Sequence, residues 1–176
     1  MHRSRGMTLI EMVLAIVIVA IVLAASAPII SNTFQSYVTT RSVLDATSKA
    51  RLAVERIARE IRDVNFAAGA YQFGTMTATD VAFTKTDGTA VRVDRAGADV
   101  RIRYTLPPPA IGPFVLTNDV TAGAPNFALR YLDSTGAAGA TAATVAFVEI
   151  ALTLDVPNTL NAIHTEQTRV ALRDKS

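Results

Sequence analysis

The sequence predicts an α+β chain in which one long N-terminal helix, apolar on every face in its first half and amphipathic in its second, carries a head built on an antiparallel β-sheet. Three observations predict it. From Met12 to Ile30 the only polar side chain is Ser26. From Val43 to Val64 apolar residues recur every three or four positions, the period of one helix face. From Tyr71 onward the pattern changes to short alternating runs separated by turn residues.

The chain opens on Met1-His2-Arg3-Ser4-Arg5-Gly6, short, basic and without an acid. Positive charge on that flank holds the N-terminal end in the cytoplasm and sends the remainder outward. The apolar run that follows, counted from Met7, has about 24 residues, which at ~1.5 Å each reach about 36 Å and cross a hydrocarbon core of ~30 Å. A soluble core helix rarely stays apolar all round for so long. Two residues interrupt the pattern. Glu11 puts a carboxylate among Ile10, Met12 and Val13, at a cost on the order of 3 kcal/mol in lipid, so it needs a partner. Pro28 lacks an amide donor and presses its ring against the carbonyl four residues back, so a helix running through it should bend there. Ala25-Ser26-Ala27 has the form of a signal-peptidase site, but Pro28 directly after it makes a poor substrate. The better cleavage site is the Gly6-Met7 bond, where the residue without a side chain leaves the bond accessible.

The string Gly6-Met7-Thr8-Leu9-Ile10-Glu11, followed by about 20 apolar residues that include Pro28, resembles the class III signal of type IV prepilins and type II secretion pseudopilins. The resemblance implies that a prepilin peptidase cuts between Gly6 and Met7 and that the new amino terminus of Met7 is N-methylated. It implies that Glu11 pairs with the amino terminus of a neighbouring subunit and that Pro28 kinks the stem helix. Met7 stands where the family more often has Phe.

Bulk properties agree with a small anchored exoplasmic protein. A length of 176 residues allows one domain beyond the stem. The formal charge of +2 comes from 17 basic and 15 acidic residues, and loss of Arg3 and Arg5 with the leader leaves 15 against 15. The pI of about 9.2 is therefore no argument for nucleic-acid binding. There is no cysteine, which excludes a disulfide framework and a thiolate metal site, so the head has to hold by packing alone.

The segment from Ser31 reads as the same helix continuing into water. Val43, Ala46, Ala50, Val54, Ile57, Ile61 and Val64 form its apolar stripe, with Val54, Ile57, Ile61 and Val64 expected to pack on the head. Asp45 with Lys49, Arg51 with Glu55, Arg56 with Glu60 and Arg59 with Asp63 have ion-pair spacing, each pair contributing about 0.2–0.5 kcal/mol on a solvated face. Neither Gly nor Pro interrupts before Gly69, the expected stop. The organisation expected is a leader at 1–6, a membrane half of the stem at 7–30, an amphipathic half at 31–68 and a β-rich head at 69–176.

Within the head, Val81 to Thr84 and Thr89 to Val93 read as strands joined at Asp87-Gly88, a hairpin signal. Val100 to Tyr104 alternates, with Val100, Ile102 and Tyr104 on one face and Arg101 and Arg103 on a solvated one. Pro107-Pro108-Pro109 ends that strand. Phe127 to Asp133, Thr144 to Val156 and Gln167 to Arg173 are the remaining strands, with a Gly/Ala/Thr loop from Ser134 to Ala143. This order, together with Leu44 to Asp63, resembles the minor pilin and pseudopilin J group, nearest the minor pilins of MSHA pili.

No catalytic constellation is legible. His2 and His164 are the only histidines, too few for a metal cluster or a histidine-based triad. Asp87, Asp94, Asp99, Asp119 and Asp133 fall near turns, where aspartate serves the local backbone, and no D-x-D-x-D run offers calcium a loop. The expectation is thus not an enzyme but a structural subunit without cofactor or metal, held in the inner membrane and present in few copies near the tip of a type IV pilus or a type II secretion pseudopilus. Its partners would be prepilin peptidase and other minor and major pilins or pseudopilins, not nucleic acid. A tip-exposed adhesin is the alternative of another class, and an aromatic content of 6% offers it little.

Overall fold

A computed structural model describes residues 7–106, 109–123, 126–157, 159 and 161–172, the side chain of Leu106 excepted. The leader 1–6 with Gly6, Pro107 and Pro108 of the triple proline, and Arg173 of the last expected strand lie outside the described residues. The architecture is α+β and pilin-like: one long N-terminal helix, α1 (Leu9–Arg62), packs against antiparallel sheets. The chain divides into two compact units, Met1–Arg41 and Ser42–Ser176.

In the first unit the apolar side chains are exposed all round, from Leu9 at 84% to Ile30 at 56%. Such a surface calls for lipid or for other apolar helices, and α1 is long and apolar enough to cross a membrane. Two of its hydroxyls are satisfied internally: Ser26 Oγ donates to the Val22 carbonyl at 2.7 Å and Thr33 Oγ1 to that of Ile29 at 2.8 Å. No donor is left for lipid to satisfy at either residue.

In the second unit a five-stranded antiparallel sheet has the order β3 (Phe73–Met76), β4 (Asp80–Thr84), β5 (Ala90–Ala96), β6 (Asp99–Leu106), β7 (Ile111–Thr117). A three-stranded antiparallel sheet has the order β10 (Ile163–Ala171), β9 (Phe147–Asp155), β8 (Ala128–Leu132). The inner faces follow from the period of two: Val81, Phe83, Val91, Val93, Val100 and Ile102 on one sheet, Val148, Ile150, Leu152 and Leu154 on the other. Both faces join Ala50, Val54, Ile57, Ile61 and Val64 of the stem in one core. Edge-to-face contacts link Phe73 to Phe83 and to Tyr131, each with centroids 6.1 Å apart, and so tie the two sheets together.

Four expectations about these elements are corrected. The helix stops at Arg62, not at Ala68. Asp63 and Val64 turn their amides to the carbonyls of Glu60 and Ile61, three residues back, and then Val64 bridges Lys85 while the Asn65 amide donates to the Thr84 carbonyl at 2.9 Å. Pairing with β4 captures a stretch whose Val64 and Phe66 suit a strand. Gly69 consequently does not cap a helix. It makes, with Ala68, the turn between β1 (Phe66–Ala67) and β2 (Ala70–Tyr71), both at positive φ (54° and 82°). Val43 is 39% exposed, because the head covers the stripe only from Ala46 onward. The strand β7 corresponds to no expected element, and its Gly112 and Pro113 argue against a strand; it survives at the sheet edge, where Pro is tolerated. There Gly112 passes so near the Ile102 carbonyl that a Cβ would stand 3.1 Å from its oxygen. Finally, β9 begins at Phe147 and β10 at Ile163. Residues 141–145 form a turn, and the polar alternation of His164, Glu166 and Thr168 hides a strand that gains its order from β9.

Ile57 is fully buried in this core. Ile57→Asp should cost about 3–5 kcal/mol, the penalty of an unpaired buried charge, whereas Leu52→Asp, on a residue 67% exposed, should stay within about 0.5 kcal/mol. Denaturant melts of the full chain in detergent micelles check this; equal midpoints would put the stripe on the wrong face.

Candidate functional site

Two clusters of polar side chains carry the chemistry of the stem. The first is its opening turn, in the first unit. Thr8 precedes the helix as N-cap and Glu11 stands three positions on, the spacing of a capping box. The Thr8 amide and the Thr8 hydroxyl both donate to Glu11 Oε2 at 2.9 Å, and the Glu11 amide returns a weaker bond to Thr8 Oγ1 at 3.4 Å. Glu11 Oε1 has no bond among the described residues. Met7, 71% exposed, lies just before this turn. One carboxylate oxygen thus closes the helix end and the other is left without a hydrogen bond among the described residues. The sequence signal for this capping role is the Thr8-x-x-Glu11 spacing, which the expectation of an intermolecular partner for Glu11 leaves out.

The second cluster is in the second unit, around Glu60. The expected Arg56–Glu60 pair forms, at 2.8 Å, but not on a solvated face: Glu60 is only 5% exposed. It lies next to Ile61 and one turn from Ile57, so burying the stripe carries it under. Its Oε1 accepts from the Tyr104 hydroxyl at 2.8 Å, and that hydroxyl accepts from Arg56 at 2.6 Å. Its Oε2 meets Lys85 Nζ at 3.2 Å. Lys85 in turn reaches Asp63 at 3.6 Å and Asp87 at 3.8 Å. Helix, β4–β5 hairpin and β6 therefore meet on one carboxylate, and only one rotation of the helix satisfies all of them. Burial pulls the Lys85 ammonium toward a lower pKa, but the hydrogen bond and charge of Glu60, with Asp87 and Asp63 behind, outweigh it and leave the pKa raised. Burial likewise pushes the Tyr104 phenol up, keeping it protonated as a donor.

The remaining expected features fall as follows. Pro28 lies inside α1. Val54, Ile57, Ile61 and Val64 are 2%, 0%, 0% and 3% exposed and share one cluster. Asp45–Lys49 and Arg51–Glu55 pair at 2.9 Å each. Arg59 does not pair with Asp63, whose carboxylate turns to Lys85. Arg101 and Arg103 are not a free basic face, since Arg101 is bound to Asp94 and Arg103 comes within 3.9 Å of it. Asp94, nearly buried inside β5, therefore serves this pairing and not a turn, whereas Asp87 and Asp133 do accept amides of their own loops. Among the described residues no group of three or more His, Cys, Asp or Glu side chains could hold a metal ion.

Residues 1–27 match the family model of the prokaryotic N-terminal methylation motif. No curated protein matches the chain. The motif supports a type IV pilin or pseudopilin-class protein and points to a structural subunit. It implies processing by prepilin peptidase and assembly with other pilins in a membrane-anchored filament, and with the apolar helix it fits a single-pass anchor.

Lys85→Met should cost roughly 1–3 kcal/mol at neutral pH by leaving Glu60 short of a partner. Because the folded-state pKa of Lys85 is raised, its contribution is complete below the unfolded value of about 10.4 and is lost as pH climbs through the folded one. Melts of parent and variant from pH 7 upward check it: their gap should be flat to about pH 9.5 and then close. A gap that stays constant through the alkaline range would deny the lysine this role.

Proposed function

We propose that this chain is a minor pilin, a low-copy structural subunit that helps initiate or cap an MSHA-like type IV pilus after removal of its leader. The observation that carries the reading is the methylation motif over residues 1–27, joined to a first helical turn in which Glu11 keeps one oxygen uncommitted. In this account residues 1–6 are the leader, prepilin peptidase cuts after Gly6, and Met7 is N-methylated. Residues 7–30 anchor the precursor in the bacterial inner membrane, with the N-terminus cytoplasmic and the head periplasmic. Pro28 bends the stem. The resemblance of Leu44 to Asp63 and of the later strands to the minor pilin and pseudopilin J group supports the minor role.

Glu11 then acts twice. In the bilayer it lies one turn from Met7, near the headgroups, with Oε2 held by Thr8. When stems leave lipid and pack together, the carboxylate enters an apolar bundle and its charge requires an opposite one. The amine of Met7 on an adjacent subunit supplies it, and that amine exists only after cleavage. Processing is thereby a chemical gate on polymerisation, and the pairing selects axial register.

Glu11→Leu in the full chain should insert and mature normally, with mass spectrometry finding N-methylated Met7 first and membrane levels equal to the parent. Cross-linking to neighbouring subunits should fall about tenfold or more, as loss of a desolvated charge pair implies. Equal cross-linking would remove the pairing role, and a mature N-terminus at Pro28 would overturn the assignment.

A further inference from the structure

The ion pair missing from the stem leaves charge in a groove of the second unit. With Asp63 drawn to Lys85, the side chains of Arg59 and Arg62, one turn apart and both exposed, make no hydrogen bond or ion pair among the described residues. They line one side of a groove of about 380 Å³ whose floor is Val54 and Ala58 and whose other wall is β10, through Glu166 and Thr168. The groove stays open because β10 is polar where β9 is aliphatic: His164, Glu166 and Thr168 stand beside Leu154, Leu152 and Ile150 in the register. Of the groove's own acids, Glu55 is bound to Arg51 at 2.9 Å, and Glu166 comes within 3.8 Å of His164 on its own strand; neither pairs with Arg59 or Arg62. Positive charge is left at the Arg59–Arg62 end. In addition, β10 is an edge strand that pairs with β9 alone, so the backbone groups on its other side have no ladder partner among the described residues.

We propose that this groove takes an extended acidic segment of a partner protein, laid along β10 as an added strand with two carboxylates set against Arg59 and Arg62. Same-face positions on a strand are about 6.8 Å apart and residues three apart on a helix about 5–6 Å, a mismatch the long guanidinium stems span. The edge strand is what selects a polypeptide. A small anion could use the arginines, but only another extended backbone uses the free side of β10. The proposal stands on the groove alone and does not depend on the pilus role.

The test uses the full chain in detergent micelles and a fluorescein-labelled, acetylated Glu-Val-Glu-Thr-Glu-Val peptide as probe. The peptide should bind saturably and raise the amide protection of β10 in hydrogen exchange. The double variant Arg59→Glu/Arg62→Glu, exposed and outside the core, should weaken binding about tenfold or more. Arg41→Glu, an exposed stem arginine outside the groove, should leave it unchanged. The absence of saturable binding, equal affinity in the double variant, or binding without protection of β10 would overturn the proposal. So would displacement of the peptide by inorganic phosphate at equal concentration, which would make this a small-anion site.

Discussion

The stripe Ala46, Ala50, Val54, Ile57, Ile61 and Val64 has to be covered by two sheets at once, and the rest of the head follows from that constraint. Small side chains at Ala46, Ala50, Ala53 and Ala58 allow close approach, while Ile57 and Ile61 fill the space between the inner faces of β4–β6 and β9. A helix wedged so deeply cannot keep its neighbouring polar residues in water. Glu60 goes under with Ile57 and Ile61, and a buried carboxylate has to be answered in full. Arg56, Tyr104 and Lys85 answer it from three elements. Lys85, once placed, also claims Asp63, which strips Arg59 of the acid its spacing promises. A packing requirement in the core thus ends as uncompensated charge on the surface.

The stem's first unit obeys a different solvent. Its apolar residues find no cover among the described residues, and Ser26, inside the apolar run, returns its hydroxyl to the Val22 carbonyl one turn back. Both features suit lipid, where every polar group has to be satisfied internally. Glu11 is the exception that the capping bonds of Thr8 make tolerable. A carboxylate that already shares a helix end is partly neutralised by two donors, and its second oxygen stays available. The opening turn is therefore both a stable helix terminus and an unfinished contact.

How much of this was legible in the sequence depended on whether the governing force was local. The apolar run, the stripe from Ala46 and the Asp87-Gly88 hairpin each arise from periodicity or turn chemistry, and were readable. The helix end was not, because Val64 and Asn65 are drawn off by β4, a partner some 20 residues on. Nor was β7, whose Gly112 and Pro113 speak against a strand and which exists because β6 offers it an edge. The ion pairs show the same division. Spacing correctly gave Lys49, Arg51 and Arg56 their acids, but it could not show that Glu60 is buried or that Lys85, far along the chain, outbids Arg59 for Asp63.

The stem from Ala46 to Val64 belongs to the core of the head and does not merely lean on it. Amide hydrogen exchange of the full chain tests this most directly. If the claim holds, the amides of Ala50 to Ile61 and those of Val148 to Leu154 in β9 exchange through one and the same opening, the most costly in the chain, and respond equally to denaturant. Helix amides that exchange through a smaller opening while β9 stays closed would contradict it.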